Sequence, residues 1–285
     1  MFNIIVSGSN GFIGKSLTKA LAVAGHIVIP VSGKDGNIAL QETWSELPKS
    51  EIVIHLAAKA FVPDSWNNPF DFIETNTIGT LRALEYCRKH KAKLIFISSY
   101  LYGNPKSLPI PETAEIFTPN PYALSKKTAE TYCDFYFENY QVPTLIMRPF
   151  NIYGYGQSKD FLIPLLIDQT LNSKQIHVKD LEPKRDYLHI DDFIGAILRS
   201  LFFSTHEIVN IGSGESYSVK EIIDLIQTIC HTNYTVRTES VARKAEIMNT
   251  IADITKAKEL FGWEPKISFE KGLSEMINQT KANLP

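Results

Sequence analysis

Short apolar runs alternate with helical patterns through the first two-thirds of the chain. Phe2 to Val6 is a near-continuous apolar run, the pattern of a strand covered on both faces. From Gly11 to about Ala24 the period becomes helical, with Phe12, Ile13, Leu17 and Leu21 on one stripe. Ile27 to Val31, Ile52 to Leu56, Leu94 to Ile97 and Thr144 to Met147 read as further buried strands, and long helical patterns lie near 72–90 and 122–140. Such alternation predicts an α/β fold built on a doubly wound parallel sheet.

From about residue 150 the pattern changes. Gly154 to Ser158 predicts a loop, 161–171 a helix, and Arg185 to Ile190 and Val209 to Ile211 short strands. Helices are expected at Val219 to Ile229, near 255–261 and near 269–280. No repeat, low-complexity tract or Pro/Gly/Ser linker separates two units. We expect residues 1–152, with returning segments near 186–212, to form one domain, and 153–285 to form mainly a smaller lobe.

Composition narrows the partners. Of 285 residues 44% are hydrophobic and 21% charged, and the formal net charge is −2, which argues against a nucleic-acid surface. The densest basic group, Arg88-Lys89-His90-Lys91, falls where a solvated helix end is expected. Cys87, Cys133 and Cys230 lie far apart in apolar helical patterns, so buried thiols are expected rather than disulfides or a metal site. No apolar run reaches the roughly 18 residues of a membrane span. A soluble protein in a reducing, cytoplasmic compartment is the expectation.

Gly8, Gly11 and Gly14 follow the first strand and open the first helix, the setting for a dinucleotide's pyrophosphate. Ser9, Asn10, Phe12 and Ile13 complete that loop. The plainer alternative is a tight turn without a ligand. At the end of the second strand, where an Asp or Glu usually meets a free 2′-hydroxyl, the chain reads Ser32-Gly33-Lys34. A hydroxyl, two amides and a cation suit a 2′-phosphate, so NADP(H) is favoured. NAD(H) follows instead if Lys34 is solvated and Asp35 takes the ribose.

Pro119-Asn120-Pro121-Tyr122-Ala123-Leu124-Ser125-Lys126 is the sharpest feature. Asn120 can cap a helix, Pro121 suits its first turn, and Tyr122 and Lys126 then share a face. A nearby ammonium and a helix N-terminus favour a phenolate, which can exchange a proton while hydride passes to or from a nicotinamide. His189, Asp191 and Asp192 lack a distant further ligand, and a strand end with a helix cap is expected there instead of a metal site.

With the alternating pattern, these motifs resemble the short-chain dehydrogenase/reductase superfamily, and within it the extended branch acting on nucleotide sugars. The resemblance spans nearly the whole chain. It includes His55-Leu56-Ala57-Ala58, Asn76-Thr77-Ile78-Gly79-Thr80, Ile97-Ser98-Ser99-Tyr100-Leu101-Tyr102-Gly103 and Arg148-Pro149-Phe150-Asn151-Ile152-Tyr153-Gly154. Arg185-Asp186-Tyr187-Leu188-His189-Ile190-Asp191-Asp192, Asn210-Ile211-Gly212-Ser213-Gly214, Asp253-Ile254-Thr255-Lys256-Ala257 and Gly262-Trp263 follow in order.

The resemblance implies a Rossmann-type domain that binds the dinucleotide and a C-terminal lobe that binds the nucleotide sugar. It implies a catalytic set of Ser98, Tyr122 and Lys126, with Ser98 placed by counting five residues back from Gly103. Asn37, Ile38, Leu56, Ala57, Ala58, Lys59, Asn76, Pro149, Asn151 and Ile152 would line the cofactor, Asn76 holding the lysine through water. Ser99, Asn151, Leu162, Arg185 and Arg243 would meet the substrate. The plainer readings are strand-end capping for Ser98 and Ser99 and surface ion pairs for the two arginines. A homodimer packed through the helices near 72–90 and 122–140 is also implied.

Departures from the family pattern exclude some chemistry. Ser99 and Tyr100 stand where 4,6-dehydratases carry an acidic pair, and Tyr100 does not fit the glutamate of UDP-sugar decarboxylases. Two reactions remain: NADPH-dependent reduction of a 4-keto-6-deoxy nucleotide sugar, favoured by the ribose turn, and NAD-dependent 4-epimerisation. A non-catalytic nucleotide sensor would need none of Ser98, Tyr122 and Lys126.

Overall fold

The computed structural model describes residues 1–239 and 247–283. Its centre is a parallel sheet of β1 (Asn3–Ser7), β2 (Ile27–Val31), β3 (Ile52–His55), β4 (Lys93–Ile97), β5 (Thr144–Pro149) and β6 (Glu207–Ile211), in the spatial order β2-β1-β3-β4-β5-β6. The order reverses between β1 and β3, and the crevice outside the strand ends there is where such sheets take ligands. The main helices are α1 (Phe12–Val23), α2 (Gly79–His90), α3 (Pro121–Tyr140), α4 (Leu162–Asp168), α5 (Ile190–Ser200), α6 (Val219–Cys230), α7 (Thr255–Phe261) and α8 (Phe269–Ala282).

Alternation along each strand divides the core into two layers. Ile4, Val6, Ile95 and Ile97 pack with Leu17 and Leu21 of α1 and Phe193 and Ile197 of α5. Ile5, Leu94 and Phe96 face the other way, onto Ala83 and Leu84 of α2 and Ala129 and Cys133 of α3. The doubly wound α/β expectation is met. A separate apolar cluster unites Tyr153 with Leu166, Ile222, Ile226, Leu273 and Ile277, residues that follow β5. Trp263, late in the chain, returns to the first cluster and donates from Nε1 to the Asp192 carbonyl at 3.0 Å.

Three elements differ from the sequence pattern. β2 is the sheet edge, so Ile27 is 51% exposed instead of covered, and Pro30, which lacks an N–H, is tolerated there. The long helix near 72–90 is broken: Pro69–Phe72 leads into a π-helical turn at Ile73–Ile78 before α2 begins. The expected strand from Arg185 to Ile190 is split at Asp186, whose buried carboxylate accepts from the amides of Ser213, Gly214 and Ala252. Cys87 and Cys133 are buried free thiols, and Cys230 is a half-buried one. Among the described residues no helix is long and apolar enough to cross a membrane.

Candidate active site

The glycine loop is shaped by contacts that exclude side chains. Gly8 has φ +75°, and a Cβ there would lie 2.7 Å from the Ala57 amide nitrogen, while a Cβ on Gly14 would collide with the Gly8 carbonyl. Backbone of the β1–α1 turn thus packs directly on the β3 loop and on α1. Gly11 caps α1 without a side-chain hydrogen bond, and the first turn holds no acid. Its amides are open to a phosphate, so this cradle fits a dinucleotide.

At the end of β2, Asp35 Oδ2 accepts from both the Ser32 amide and the Ser32 hydroxyl at 2.8 Å. These bonds hold the Asp35 carboxyl below its ordinary value. The Ser32 hydroxyl expected for a phosphate is thus already committed to Asp35, and it also accepts from the Lys34 amide at 3.3 Å. Gly33 and Lys34 are exposed at the same turn. Asn37 Oδ1 accepts from the Ala39 amide, and buried Ile38 packs under Gly79.

α3 begins as its sequence requires: Asn120 Oδ1 accepts from the Ala123 amide at 2.8 Å and Pro121 occupies the first turn. Tyr122 is half-buried and Lys126 buried on this end of the helix. Burial raises the Tyr122 phenol above its ordinary value, while a hydrogen-bonding interaction with the Ser99 side chain acts in the opposite direction. Burial also pushes the Lys126 ammonium down to about 8. Lys126 Nζ donates to the Ile97 carbonyl at 2.7 Å and lies 4.9 Å from the Phe96 ring centroid. The expected lowering of Tyr122 by Lys126 is therefore not what this arrangement produces; desolvation dominates.

Ser98 enters a buried network, its hydroxyl donating to Glu130 Oε1 at 2.6 Å. Arg148 grips the same carboxylate through Nε at 2.9 Å and Nη2 at 2.7 Å, and its Nη1 donates to the Tyr102 hydroxyl at 3.0 Å. Tyr102 in turn donates to Asn210 Oδ1 at 2.6 Å. Ser98 shares the strand side of Leu94 and Phe96, which faces α3, so it enters this buried network. Ser99, one residue on, acts on the Tyr122 phenol in the lowering direction.

Asn76 sits in the π-helical turn, 1% exposed: Oδ1 accepts from the Lys59 amide at 2.8 Å, while Nδ2 donates to the Lys59 carbonyl at 3.0 Å and Ser125 Oγ at 2.9 Å. It ties the loop of Leu56, Ala57, Ala58 and Lys59 to α3. Neutral His55, buried and pushed down to about 3 by desolvation, bonds Ser7 Oγ at 2.7 Å beneath this loop.

Across the cleft, Asn151 Nδ2 donates to the Asp186 carbonyl at 2.9 Å and the Tyr100 hydroxyl lies 3.2 Å from Asn151 Oδ1. Pro149 ends β5, with half-buried Ile152 just beyond. Arg185 is half-buried, its Nη1 donating to the Ile247 carbonyl at 2.6 Å, and Leu162 opens α4. Arg243 lies outside the described residues. His189 Nδ1 caps α5 by accepting from the Asp191 amide at 3.3 Å, and Asp192 Oδ2 accepts from the Lys266 and Ile267 amides. Asp186 and Glu130, neither singled out from sequence, are the buried carboxylates that assemble the two walls.

A glycine cradle and a phenol over the ends of a parallel sheet match known proteins along the whole chain. Residues 40–276 fit the GDP-mannose 4,6-dehydratase family. The chain belongs to that family. It is thereby an extended short-chain dehydrogenase/reductase, a nicotinamide-dependent enzyme of the nucleotide-sugar epimerase, dehydratase and reductase group. A putative UDP-glucose 4-epimerase of Methanocaldococcus jannaschii is 32% identical, with 98% of this chain and 99% of that protein aligned. The GDP-6-deoxy-D-mannose reductase of Pseudomonas aeruginosa is 30% identical over 99% of this chain and 98% of its own length. The structure of RMD from the same organism, complexed with NADPH, superposes with a TM-score of 0.92 at 27% identity and covers 100% of both chains.

Proposed function

We propose that the chain reduces the 4-keto group of a 4-keto-6-deoxy nucleotide sugar with NADPH. The observation that carries the choice is the turn after β2: Asp35 folds back on Ser32, while Gly33 and Lys34 stand exposed for a 2′-phosphate. The similar reductase and the NADPH complex support the same reading. Asp35 itself, ionised at that turn, favours the second reading, an NAD-dependent 4-epimerase.

A bound nicotinamide supplies the hydride. Tyr122 gives its phenolic proton to the oxygen of the carbonyl as that carbon is reduced, its raised proton affinity keeping it protonated until that step. Ser99 orients that oxygen, taking the role expected of Ser98, and Lys126 contributes positive charge behind the phenol. Gly8, Ser9, Asn10, Gly11, Phe12, Ile13 and Gly14 hold the pyrophosphate, and Asn151, Leu162 and Arg185 face the nucleotide sugar. We assign residues 1–152 and the returning segments to the cofactor and the rest mainly to substrate, with the enzyme residing in the cytoplasm.

A homodimer follows from exposed apolar side chains on α3, where Leu124, Tyr132 and Phe135 recur at helical spacing. Light scattering at micromolar concentration should give twice the chain mass; a monomer would remove this part. Dissociation constants and turnover with NADPH and NADH test the main reading. Exchangeable NADPH preferred over NADH, and weakened by Lys34→Glu, is expected. Tightly held NAD that co-purifies and resists exchange would replace the reductase with the epimerase.

A further inference from the structure

Between Tyr122 and Lys126 stands a serine that the reaction leaves unused. Ser125 is buried, and its hydrogen-bond partners outside α3 come from the π-helical turn at Ile73–Ile78. Asn76 Nδ2 reaches Ser125 Oγ at 2.9 Å, and the Thr77 hydroxyl donates to the Ser125 carbonyl at 3.0 Å. Phe72, the residue before that turn, is buried and meets the Tyr122 ring edge to face, with centroids 6.4 Å apart and planes at 89°. One short segment therefore touches the ring of the reacting tyrosine and grips its helix three residues further on.

The proton positions in this contact are fixed by the backbone at its far end. The Lys59 amide can only donate, so the Asn76 atom that it meets at 2.8 Å is Oδ1. Nδ2 then donates to the Lys59 carbonyl at 3.0 Å and to Ser125 Oγ at 2.9 Å, one hydrogen for each. Ser125 Oγ must accept there, which leaves its single proton for the Tyr122 carbonyl at 2.8 Å. That carbonyl already has the Lys126 amide as its helical partner, so the serine is not needed to satisfy it. The outcome is a chain of hydrogen bonds from Lys59 through Asn76 and Ser125 to the main chain of Tyr122. Lys59 belongs to the loop whose Ala57 amide packs on Gly8, so the chain runs from the wall of the glycine cradle to the turn that carries the phenol.

We propose that Ser125 is a positioning residue, which fixes the reach of the Tyr122 phenol relative to a bound cofactor by tying the first turn of α3 to the loop after β3. This deepens the reading of Tyr122 as the acid/base group and rests on it. The first four N–H groups of a helix lack helical partners, so its first turn depends on such outside ties. Misplacing a reacting group by about 1 Å can cost up to about 100-fold in rate.

The test is a double-mutant cycle on kcat, with NADPH and GDP-4-keto-6-deoxymannose, or with NAD and UDP-glucose where the wild type epimerises. Ser125→Ala should lower kcat about 10-fold in the wild type and less than about twofold in Tyr122→Phe, because a displaced phenol cannot matter once it is gone. Cofactor affinity should stay within about twofold, which shows that the cradle is intact. An unchanged kcat in Ser125→Ala, or an equal loss in both backgrounds, overturns the proposal alone, since a purely structural serine would cost the same with or without the phenol. Thr77→Val keeps the side-chain shape, removes the grip on the Ser125 carbonyl, and should show the same dependence on Tyr122 at about threefold. That variant decides the matter if Ser125→Ala no longer binds cofactor. A wild type that turns over neither sugar, or that stays fully active as Tyr122→Phe, defeats the underlying reading and the proposal with it.

Discussion

Ser98 and Ser99 are neighbours in the chain and occupy different worlds. Ser98, 4% exposed, is locked to Glu130 within a continuous set of buried hydrogen bonds running through Arg148 and Tyr102 to Asn210. Ser99 is half-buried and meets a phenol with a raised proton affinity. One side of the strand end builds a wall in which every strong donor and acceptor is matched. The other leaves groups with capacity to spare, which is what a reacting substrate needs. The difference teaches that neighbouring hydroxyls are committed to unlike tasks by the partners that each one meets.

Substitutions on the two sides should therefore fail in opposite ways. Tyr122→Phe should lower kcat by roughly 10²–10⁴-fold with an unchanged melting temperature, and full activity in that variant would sink the mechanism. Glu130→Ala leaves the Arg148 guanidinium buried without its partner and should cost about 3–5 kcal/mol of stability by urea titration. A loss below about 1 kcal/mol would mean that water replaces the carboxylate and the wall is not tight.

The serine pair sharpens the contrast further. Ser99→Ala should reduce kcat by about 10–100-fold and leave stability nearly intact. Ser98→Ala should cost about 1–2 kcal/mol of stability and change kcat little. The reverse pattern would return the orienting role to Ser98.

The smallest effect is in pH. Burial lowers Lys126 from 10.5 to about 8, so the folded protein releases this proton before the unfolded chain does. The penalty of burying the ammonium is fully present below pH 8 and fades between about 8 and 10.5, so stability rises across that window. Activity should move the other way, because the positive charge behind Tyr122 is lost above about 8. Lys126→Met should abolish this rise in stability, and a rise that persists would assign it to another group.

The sheet, its glycine cradle and the Tyr122–Lys126 pair were legible because each is coded locally. Continuous apolar runs mark covered strands, Asn120-Pro121 marks a helix start, and four-residue spacing puts two side chains on one face. What stayed hidden depends on partners remote in sequence. Glu130 becomes a wall element only because Arg148, 18 residues on, meets it across the β5–α3 packing. The Ser32–Asp35 bond is local, yet no periodicity distinguishes a carboxylate folded onto its own turn from one awaiting a ribose. Ile27 read as covered because a pattern of apolar residues does not say which strand ends the sheet.

The π-helical turn at Ile73–Ile78 bears on how this fold tolerates length changes. Such a turn behaves as an α-helix with one extra residue accommodated as a bulge. Removing one residue there would restore a regular helix and swing everything upstream by about 100° around its axis. Asn76 could not then keep both Lys59 and Ser125 in reach, and the loop after β3 would come adrift from α3. This segment should accept substitutions on its outer side far more readily than a single deletion, so in a library of random indels it should stand out as a gap.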